Sequence, residues 1–310
     1  MDKNSRIYIA GHRGMVGSAI WSHLNDLGFH QLIGWSHEEL DLTDREKTLE
    51  AIMQANPDVV IIAAARVGGI GANSRLPVEF LNDNIRIQLN ILEAAHKINV
   101  KKLLYLGSSC IYPKFAQQPI KEEELLNGAL EETNIGYAIA KISGVINLKS
   151  YRSEYGHRWI SAMPTNLYGP NDSYDLETSH VLPALIRKFH DAKVEGSEVV
   201  TLWGDGSPLR EFLHVDDLAK ACVFLLDNYD SDSHINVGFG KEISIKELAS
   251  IISRIVGFVG TIEWDTSRPN GTPRKLMDSS KINSLGWKPE IELEVGIADT
   301  YEEFKSSLNS

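Results

Sequence analysis

Ile7-Tyr8-Ile9-Ala10-Gly11-His12-Arg13-Gly14-Met15-Val16-Gly17 decides how the rest of the chain is read. Four apolar residues predict a short strand and the glycines a tight turn. Met15, Val16, Ala19, Ile20, Leu24 and Leu27 then carry a helical period that stops at Gly28. Glycines at Gly11, Gly14 and Gly17 let backbone N–H groups close on a pyrophosphate at a helix N-terminus. Their three-and-three spacing is weaker than the standard dinucleotide fingerprint, and a merely tight βα turn is the competing reading. The second strand, near Gln31-Leu32-Ile33, ends in Gly34-Trp35-Ser36-His37 with no carboxylate at its tip. An acid there would hold an adenosine 2′-hydroxyl and repel a 2′-phosphate. Its absence, with Arg13 in the first turn, favours NADP(H) over NAD(H), although Glu38 and Glu39 follow closely.

Outward from that unit the strand–helix rhythm continues. Strands are predicted at Asp58–Ala63, Lys102–Leu106 and Trp159–Met163, with helices at Asp44–Ala55, Pro77–Ile98 and across Tyr137. Such alternation predicts a Rossmann-type doubly wound parallel sheet. Past Pro170 the rhythm breaks into mixed strands and helices. The expected organisation is a cofactor-binding domain over residues 1–165, with 211–240 returning to it, and a smaller mixed α/β substrate domain over 166–310.

Bulk properties narrow the function. The 310 residues carry 31 basic and 42 acidic side chains, a net charge of -11. That argues against general binding of nucleic acid or anionic membrane, but not against a small anionic ligand held by a few local arginines. No run of eighteen apolar residues and no secretory leader is visible. Cys110 and Cys222, the two cysteines, sit in unlike contexts and read as reduced thiols. The expectation is a soluble cytoplasmic protein. His, Cys, Asp and Glu show no compelling metal-ligand spacing.

The chemistry gathers on Tyr137-Ala138-Ile139-Ala140-Lys141 and, upstream, Gly107-Ser108-Ser109-Cys110. Thr133 or Asn134 can cap a helix start, and Ile139, Ile142 and Ile146 extend an apolar period. Tyr137 and Lys141 then share one face. An ammonium beside a phenol is expected to lower its pKa and ready it for proton transfer near neutral pH. Spacing alone suits a surface tyrosine and a surface lysine equally well.

The ordered set of Gly11/Gly14/Gly17, Ser108, Tyr137 and Lys141 resembles the extended short-chain dehydrogenase/reductase family, most of whose members modify nucleotide sugars. Trp203-Gly204-Asp205-Gly206-Ser207-Pro208-Leu209-Arg210-Glu211-Phe212-Leu213-His214-Val215-Asp216-Asp217 is similar to that nucleotide-sugar branch. Within the branch, four stretches are more specific: Gly11–Gly17, Gly107–Pro113, Met163–Pro170 and Pro269–Lys275. They resemble the bifunctional 3,5-epimerase/4-reductases that turn GDP-4-keto-6-deoxy-D-mannose into GDP-L-fucose with NADPH, usually as homodimers.

The resemblance implies Tyr137, Lys141 and Ser108 for reduction and for holding O4, Cys110 as the base and His180 as the acid of epimerisation. Cofactor contacts are implied for Gly11, His12, Arg13, Gly14, Met15, Val16, Gly17, His37, Leu106, Gly107, Ser109, Lys141, Pro164, Thr165, Asn166, Leu167 and His180. Substrate contacts are implied for Lys188, Trp203, Arg210, Asn270, Arg274 and Lys275, with Arg187 an adjacent alternative to Lys188. His37 stands where the family often has an arginine, and Asn270 where it often has an aspartate. A single-function NAD(P)-dependent epimerase or dehydratase is the nearest alternative; it would consume no NADPH. A non-catalytic nucleotide-sensing protein on this fold would be expected to lose some of the five catalytic positions.

Overall fold

The computed structural model describes every residue except Glu177, Pro269, Asn309 and Ser310, and the side chain of Ile70. Pro269, first residue of one motif above, thus lies outside the described residues. The first strand, β1 (Ile7–Ala10), is buried along its whole length. Its alternate residues serve two different cores, Ile7 and Ile9 on one face, Tyr8 and Ala10 on the other. A strand buried on both sides belongs in the middle of a layered parallel sheet. After it come α1 (Met15–Asp26), the two-residue β2 (Leu32–Ile33), α2 (Arg45–Ala55) and β3 (Val59–Ile62). The chain continues with α3 (Ile70–Arg75), α4 (Pro77–Lys97), β4 (Lys102–Leu106), α5 (Ile135–Tyr155), β5 (Trp159–Pro164) and β6 (Asn166–Tyr168).

Beyond them lie α6 (Val181–Glu195), β7 (Val199–Trp203), β8 (Leu209–His214), α7 (Val215–Asn228) and β9 (Ile235–Val237). β10 (Glu242–Ser244), α8 (Ile245–Val256), β11 (Thr261–Asp265), β12 (Arg274–Lys275), α9 (Ser280–Ser284) and α10 (Leu293–Ser307) complete the described elements. The main sheet runs β2-β1-β3-β4-β5-β9, parallel throughout. Strand order reverses between β1 and β3, the switch point at whose carboxyl ends such sheets open a ligand crevice. One apolar layer joins the sheet to α1 and α7 through Ile20, Leu24, Leu218 and Leu225. The other joins it to α4 and α5 through Ile91, Leu92, Val145 and Leu148. β9, far along the chain, docks beside β5. The remaining strands form a sheet β10-β8-β12 with β6 against β8, and a pair β11-β7. A third apolar cluster under α6, α8 and α10 supports them.

One expected pattern fails on α5. Of Ile139, Ile142 and Ile146, only Ile142 is buried. Small residues make the buried face instead: Ala138, Ala140, Gly144 and Val145 let α5 lie close to β4, where a Cβ on Gly144 would meet the Tyr105 ring. Asn134 is the N-cap residue, but its side chain makes no cap hydrogen bond.

Candidate active site

β4 ends at Leu106, and Ser108 opens a short turn over Ser109–Ile111. The Ser108 hydroxyl accepts the Cys110 backbone N–H at 3.3 Å, which ties serine and cysteine into one loop at the sheet's carboxyl edge. Helix α5 brings Tyr137 and Lys141 onto that loop. Lys141 is nearly inaccessible, and its Nζ donates to the Leu106 carbonyl at 2.8 Å. The same ammonium stands 5.1 Å from the Tyr105 ring centroid and 5.6 Å from that of Tyr137. Phe80 meets the Tyr137 ring edge-on, centroids 6.5 Å apart.

Burial, not the ammonium, governs the phenol. Desolvation raises the Tyr137 pKa, a negative charge on Cys110 would raise it further, and only the Ser108 hydroxyl pulls it down. Lys141 is itself drawn down to about 8 by burial. The expected lowering of the phenol pKa by Lys141 is therefore not realised. A phenol that holds its proton at neutral pH is a proton donor, which is the form a ketone reduction consumes. Cys110 is likewise raised by burial, opposed first by Lys275, then by Ser108 and Lys141. His180 is the N-cap residue of α6 and reaches solvent while protein atoms crowd it, as a side chain lining a cleft does. Burial and then Lys275 lower its pKa.

The cofactor turn is built as its sequence suggests. Gly11 has φ +83°, and a Cβ there would press on the Ala64 backbone at 2.8 Å. A Cβ on Gly17 would run into the Gly11 carbonyl oxygen. Gly14 is the N-cap residue of α1 with no side-chain cap, which leaves the first helical N–H groups to a ligand. Arg13 is exposed at its rim. Beyond β2, the Glu39 carboxylate folds back to accept the Ser36 N–H at 2.7 Å, so it is engaged on its own turn. His37 is exposed and stands 4.0 Å from Asp41. His12 packs over Gly34, and its Nδ1 is buried without a partner. At the β5 edge, Asn166 Nδ2 donates to the Glu211 carbonyl at 2.8 Å, and the Thr165 N–H donates to the Val237 carbonyl at 3.0 Å. A narrow glycine cradle, an orphan imidazole nitrogen and a free rim arginine fit a phosphorylated dinucleotide.

Gly17→Ala should therefore abolish cofactor binding, because the obstructing atoms are backbone and cannot swing away. A stability loss of about 1–3 kcal/mol should accompany it. Nucleotide fluorescence titration and a thermal melt check both effects.

Around α6 and the end of β7, the structure separates residues that spacing could not. Arg187 pairs with Asp191 at 2.6 Å. Lys188 instead turns to Trp203, its Nζ 5.9 Å from the ring centroid. Trp203, at the end of β7, is 64 % exposed. Arg268, which the sequence reading missed, covers that ring at 5.0 Å; the only signal was a cation two residues before Asn270. Asn270 Oδ1 accepts the Asp205 N–H at 2.9 Å, so its amide oxygen already holds the turn after β7. Arg274, expected among the substrate cations, is engaged elsewhere: its Nε donates to both carboxylate oxygens of Glu242, at 2.9 and 2.8 Å. Successive strand residues face opposite ways, so Lys275 turns away from Arg274 and lies half-buried opposite Arg210. Arg210 keeps a backbone contact, Nη1 to the Leu209 carbonyl at 2.8 Å.

Two buried polar anchors behind the site also escaped notice. Glu211 accepts the Gly240 and Met277 N–H groups at 2.6 and 3.0 Å. Tyr112 donates to Asn236 Oδ1 at 2.5 Å, and the Asn236 N–H donates to Glu122 at 2.9 Å. These bonds fasten the loop after Cys110 to β9. Among the described residues no cluster of three His, Cys, Asp or Glu could hold a metal, and no helix is long and apolar enough to cross a membrane.

A model of the NAD dependent epimerase/dehydratase family matches residues 7–238. GDP-L-fucose synthase 1 of Arabidopsis thaliana is 56% identical over 301 residues, covering 97% of this chain and 93% of that protein. The crystal structure of a GDP-6-OMe-4-keto-L-xylo-heptose reductase from C. jejuni superposes with a TM-score of 0.95 at 37% identity, covering 99% of each chain. MlghC, a GDP-mannoheptose C4 reductase from Campylobacter jejuni with NADP bound, superposes at 0.91 with 39% identity, over 98% of this chain and 99% of that one. With its cofactor turn, its Ser108/Tyr137/Lys141 set and these likenesses over nearly its whole length, the chain belongs to the NAD dependent epimerase/dehydratase family, within the GDP-L-fucose synthase group of the extended short-chain dehydrogenase/reductases.

Proposed function

We propose that this protein inverts C3 and C5 of GDP-4-keto-6-deoxy-D-mannose and reduces its C4 ketone with NADPH, giving GDP-L-fucose. The observation that carries the reading is the convergence of Ser108 and Cys110, on one hydrogen-bonded turn, with Tyr137 and Lys141 of α5. Bound NADPH supplies the hydride for C4. The glycine cradle of residues 11–17 and Arg13 hold its phosphates, and Lys141 orients its nicotinamide ribose. Tyr137 and Ser108 clamp O4. A 4-ketone acidifies the protons on C3 and C5, because the electrons left behind delocalise onto O4. Cys110 takes that proton on one face, and His180 returns one on the other. Tyr137 then gives its proton to O4 as the ketone is reduced. One clamp stabilises negative charge on O4 in both reactions. Lys188, Trp203, Arg210 and Asn270 hold the GDP end, with Arg268 added to that group.

NMR analysis of the product formed from GDP-4-keto-6-deoxy-D-mannose and NADPH tests the assignment. GDP-L-fucose with one NADPH oxidised per turnover is expected; a product formed without NADPH consumption overturns it. Arg13 is the exposed cation at the cofactor turn, so NADPH should show a higher kcat/KM than NADH. Arg13→Ala should shrink that ratio roughly tenfold or more, through the NADPH KM, as expected for one charge-assisted phosphate contact. Equal specificity constants in the unmodified protein would contradict the cofactor choice.

The protein acts in the cytoplasm as a homodimer in this reading. Support for the dimer is the row Ile135, Ile139 and Ile146, each at least 40 % exposed on α5, together with Leu89 on the adjoining α4.

A further inference from the structure

Beyond β3 the chain runs through Val67-Gly68-Gly69 into α3, and this loop lies between two parts of the candidate site. Two buried asparagines pin it. Asn84 of α4 accepts the Arg66 N–H at 2.9 Å through Oδ1, and its Nδ2 donates to the Arg66 carbonyl at 3.0 Å. Asn73 of α3 donates from Nδ2 to the Gly68 and Gly69 carbonyls at 2.7 and 3.1 Å, while its Oδ1 meets no protein donor. That amide therefore serves the loop through its N–H groups. On one side, a Cβ on Gly68 would lie 3.1 Å from the Phe80 ring, the ring that meets Tyr137 edge-on. On the other, the Gly69 N–H donates to the Thr178 carbonyl at 2.7 Å. A Cβ on Gly69 would stand 2.9 Å from the Ser179 carbonyl oxygen and 3.3 Å from that of Thr178. Gly69 has an ordinary φ of -67°, so glycine supplies close approach here rather than a rare conformation.

Thr178 and Ser179 lead directly into His180. Their turn closes on itself, the Asp175 carbonyl accepting both N–H groups at 3.3 and 2.9 Å. His180 follows in extended conformation, φ -74° and ψ 169°, as the N-cap residue of α6. Among the described residues no hydrogen bond holds its ring, so the backbone before it sets where the imidazole stands. We propose that Gly69 and Asn73 are positioning residues for inversion: they seat the segment that carries His180, and so decide on which face the enolate regains its proton. The inference rests on the reading of His180 as acid and Cys110 as base. In the inverting step an N–H bond of the protonated ring breaks and a C–H bond forms at C3 or C5. The electron pair held on O4 returns through C4 to that carbon. With His180 displaced, the Cys110 thiol returns a proton instead: its S–H bond breaks, the proton re-enters on the face it left, and configuration is retained. A thiol proton exchanges with solvent, so in deuterium oxide the carbon is labelled without being inverted.

The first test contains no substrate. In full-length protein labelled with ring-13C histidine, the His180 resonance is assigned by its loss in His180→Asn. Gly69→Ala forces a Cβ against backbone that cannot swing away, and Asn73→Asp turns an oxygen toward two carbonyls. Each should shift the His180 resonance. Each should leave in place those of His96 and His157, which bond each other at 2.8 Å near the C-terminal ends of α4 and α5. With GDP-4-keto-6-deoxy-D-mannose and NADPH in deuterium oxide, both variants should lose roughly tenfold to a hundredfold in kcat for GDP-L-fucose, the scale set by a misplaced reacting group. Deuterium uptake at C3 and C5, and KM for sugar and cofactor, should stay within about threefold. Uninverted, deuterium-labelled products should appear by NMR. An unmoved His180 resonance in either variant overturns the proposal. So does an equal loss of deuterium uptake and of GDP-L-fucose with a lowered Tm, which makes the loop a structural support only. GDP-L-fucose formed at the unmodified rate by His180→Asn would overturn the acid reading instead, separately from the seating that the resonance reports.

Discussion

Tyr137→Phe should nearly abolish ketone reduction, lowering kcat by a factor of roughly 100 to 10,000, the usual contribution of a positioned general acid. The half-buried phenol has its pKa raised by desolvation first and by Cys110 second, and so carries its proton at neutral pH. It is thus stocked to donate to O4. Phenylalanine keeps the ring and its edge-on contact with Phe80, so the loss is chemical rather than structural. Exchange at C3 and C5 should fall less, because Ser108 remains to hold O4. Following NADPH absorbance and deuterium uptake in the same sample separates the two reactions. Reduction at the unmodified rate would remove Tyr137 from the mechanism.

Cys110→Ser should produce the opposite pattern. The side chain is small and almost fully buried, and a hydroxyl fits its space. A hydroxyl is a far weaker base than a thiol, whose reference pKa is about 8.5. Deuterium exchange at C3 and C5 should drop by a factor of roughly 100 or more. Tyr137, Lys141 and the cofactor turn are untouched, so slow reduction of the uninverted ketone should continue, giving GDP-rhamnose- or GDP-6-deoxytalose-type products visible by NMR. If the serine protein exchanged deuterium at the unmodified rate, a different proton acceptor would be needed, and the one-site account of both reactions would have to be rebuilt.

Local pattern carried much of this structure. The strand, glycine turn and helix over residues 7–26 stand where periodicity and turn chemistry place them, because each depends on neighbours a few positions away. Helical geometry alone puts Tyr137 and Lys141 on one face. The resemblance added Cys110 and His180, whose residue types in isolation would suit a semi-buried packing residue and a helix-start residue. Local pattern misled on α5, where Ile139 and Ile146 looked like core and are exposed. Apolar spacing identifies a stripe but not what covers it, and here the close approach to β4 demanded small residues.

What the sequence by itself determined is therefore the alternating α/β architecture, the glycine turn and the shared helical face of Tyr137 and Lys141. Tertiary structure alone decided their ionisation and their direction. Arg274 and Lys275 are adjacent and both basic, yet β12 alternation sends one to Glu242 and the other to the face it shares with Arg210. Spacing could not choose between Arg187 and Lys188; Asp191 and Trp203 did. The Tyr137 phenol is held protonated because burial outweighs the one group that pulls it down, the Ser108 hydroxyl. Desolvation depends on every atom packed around a group, most of them distant in the chain, and no local spacing encodes it.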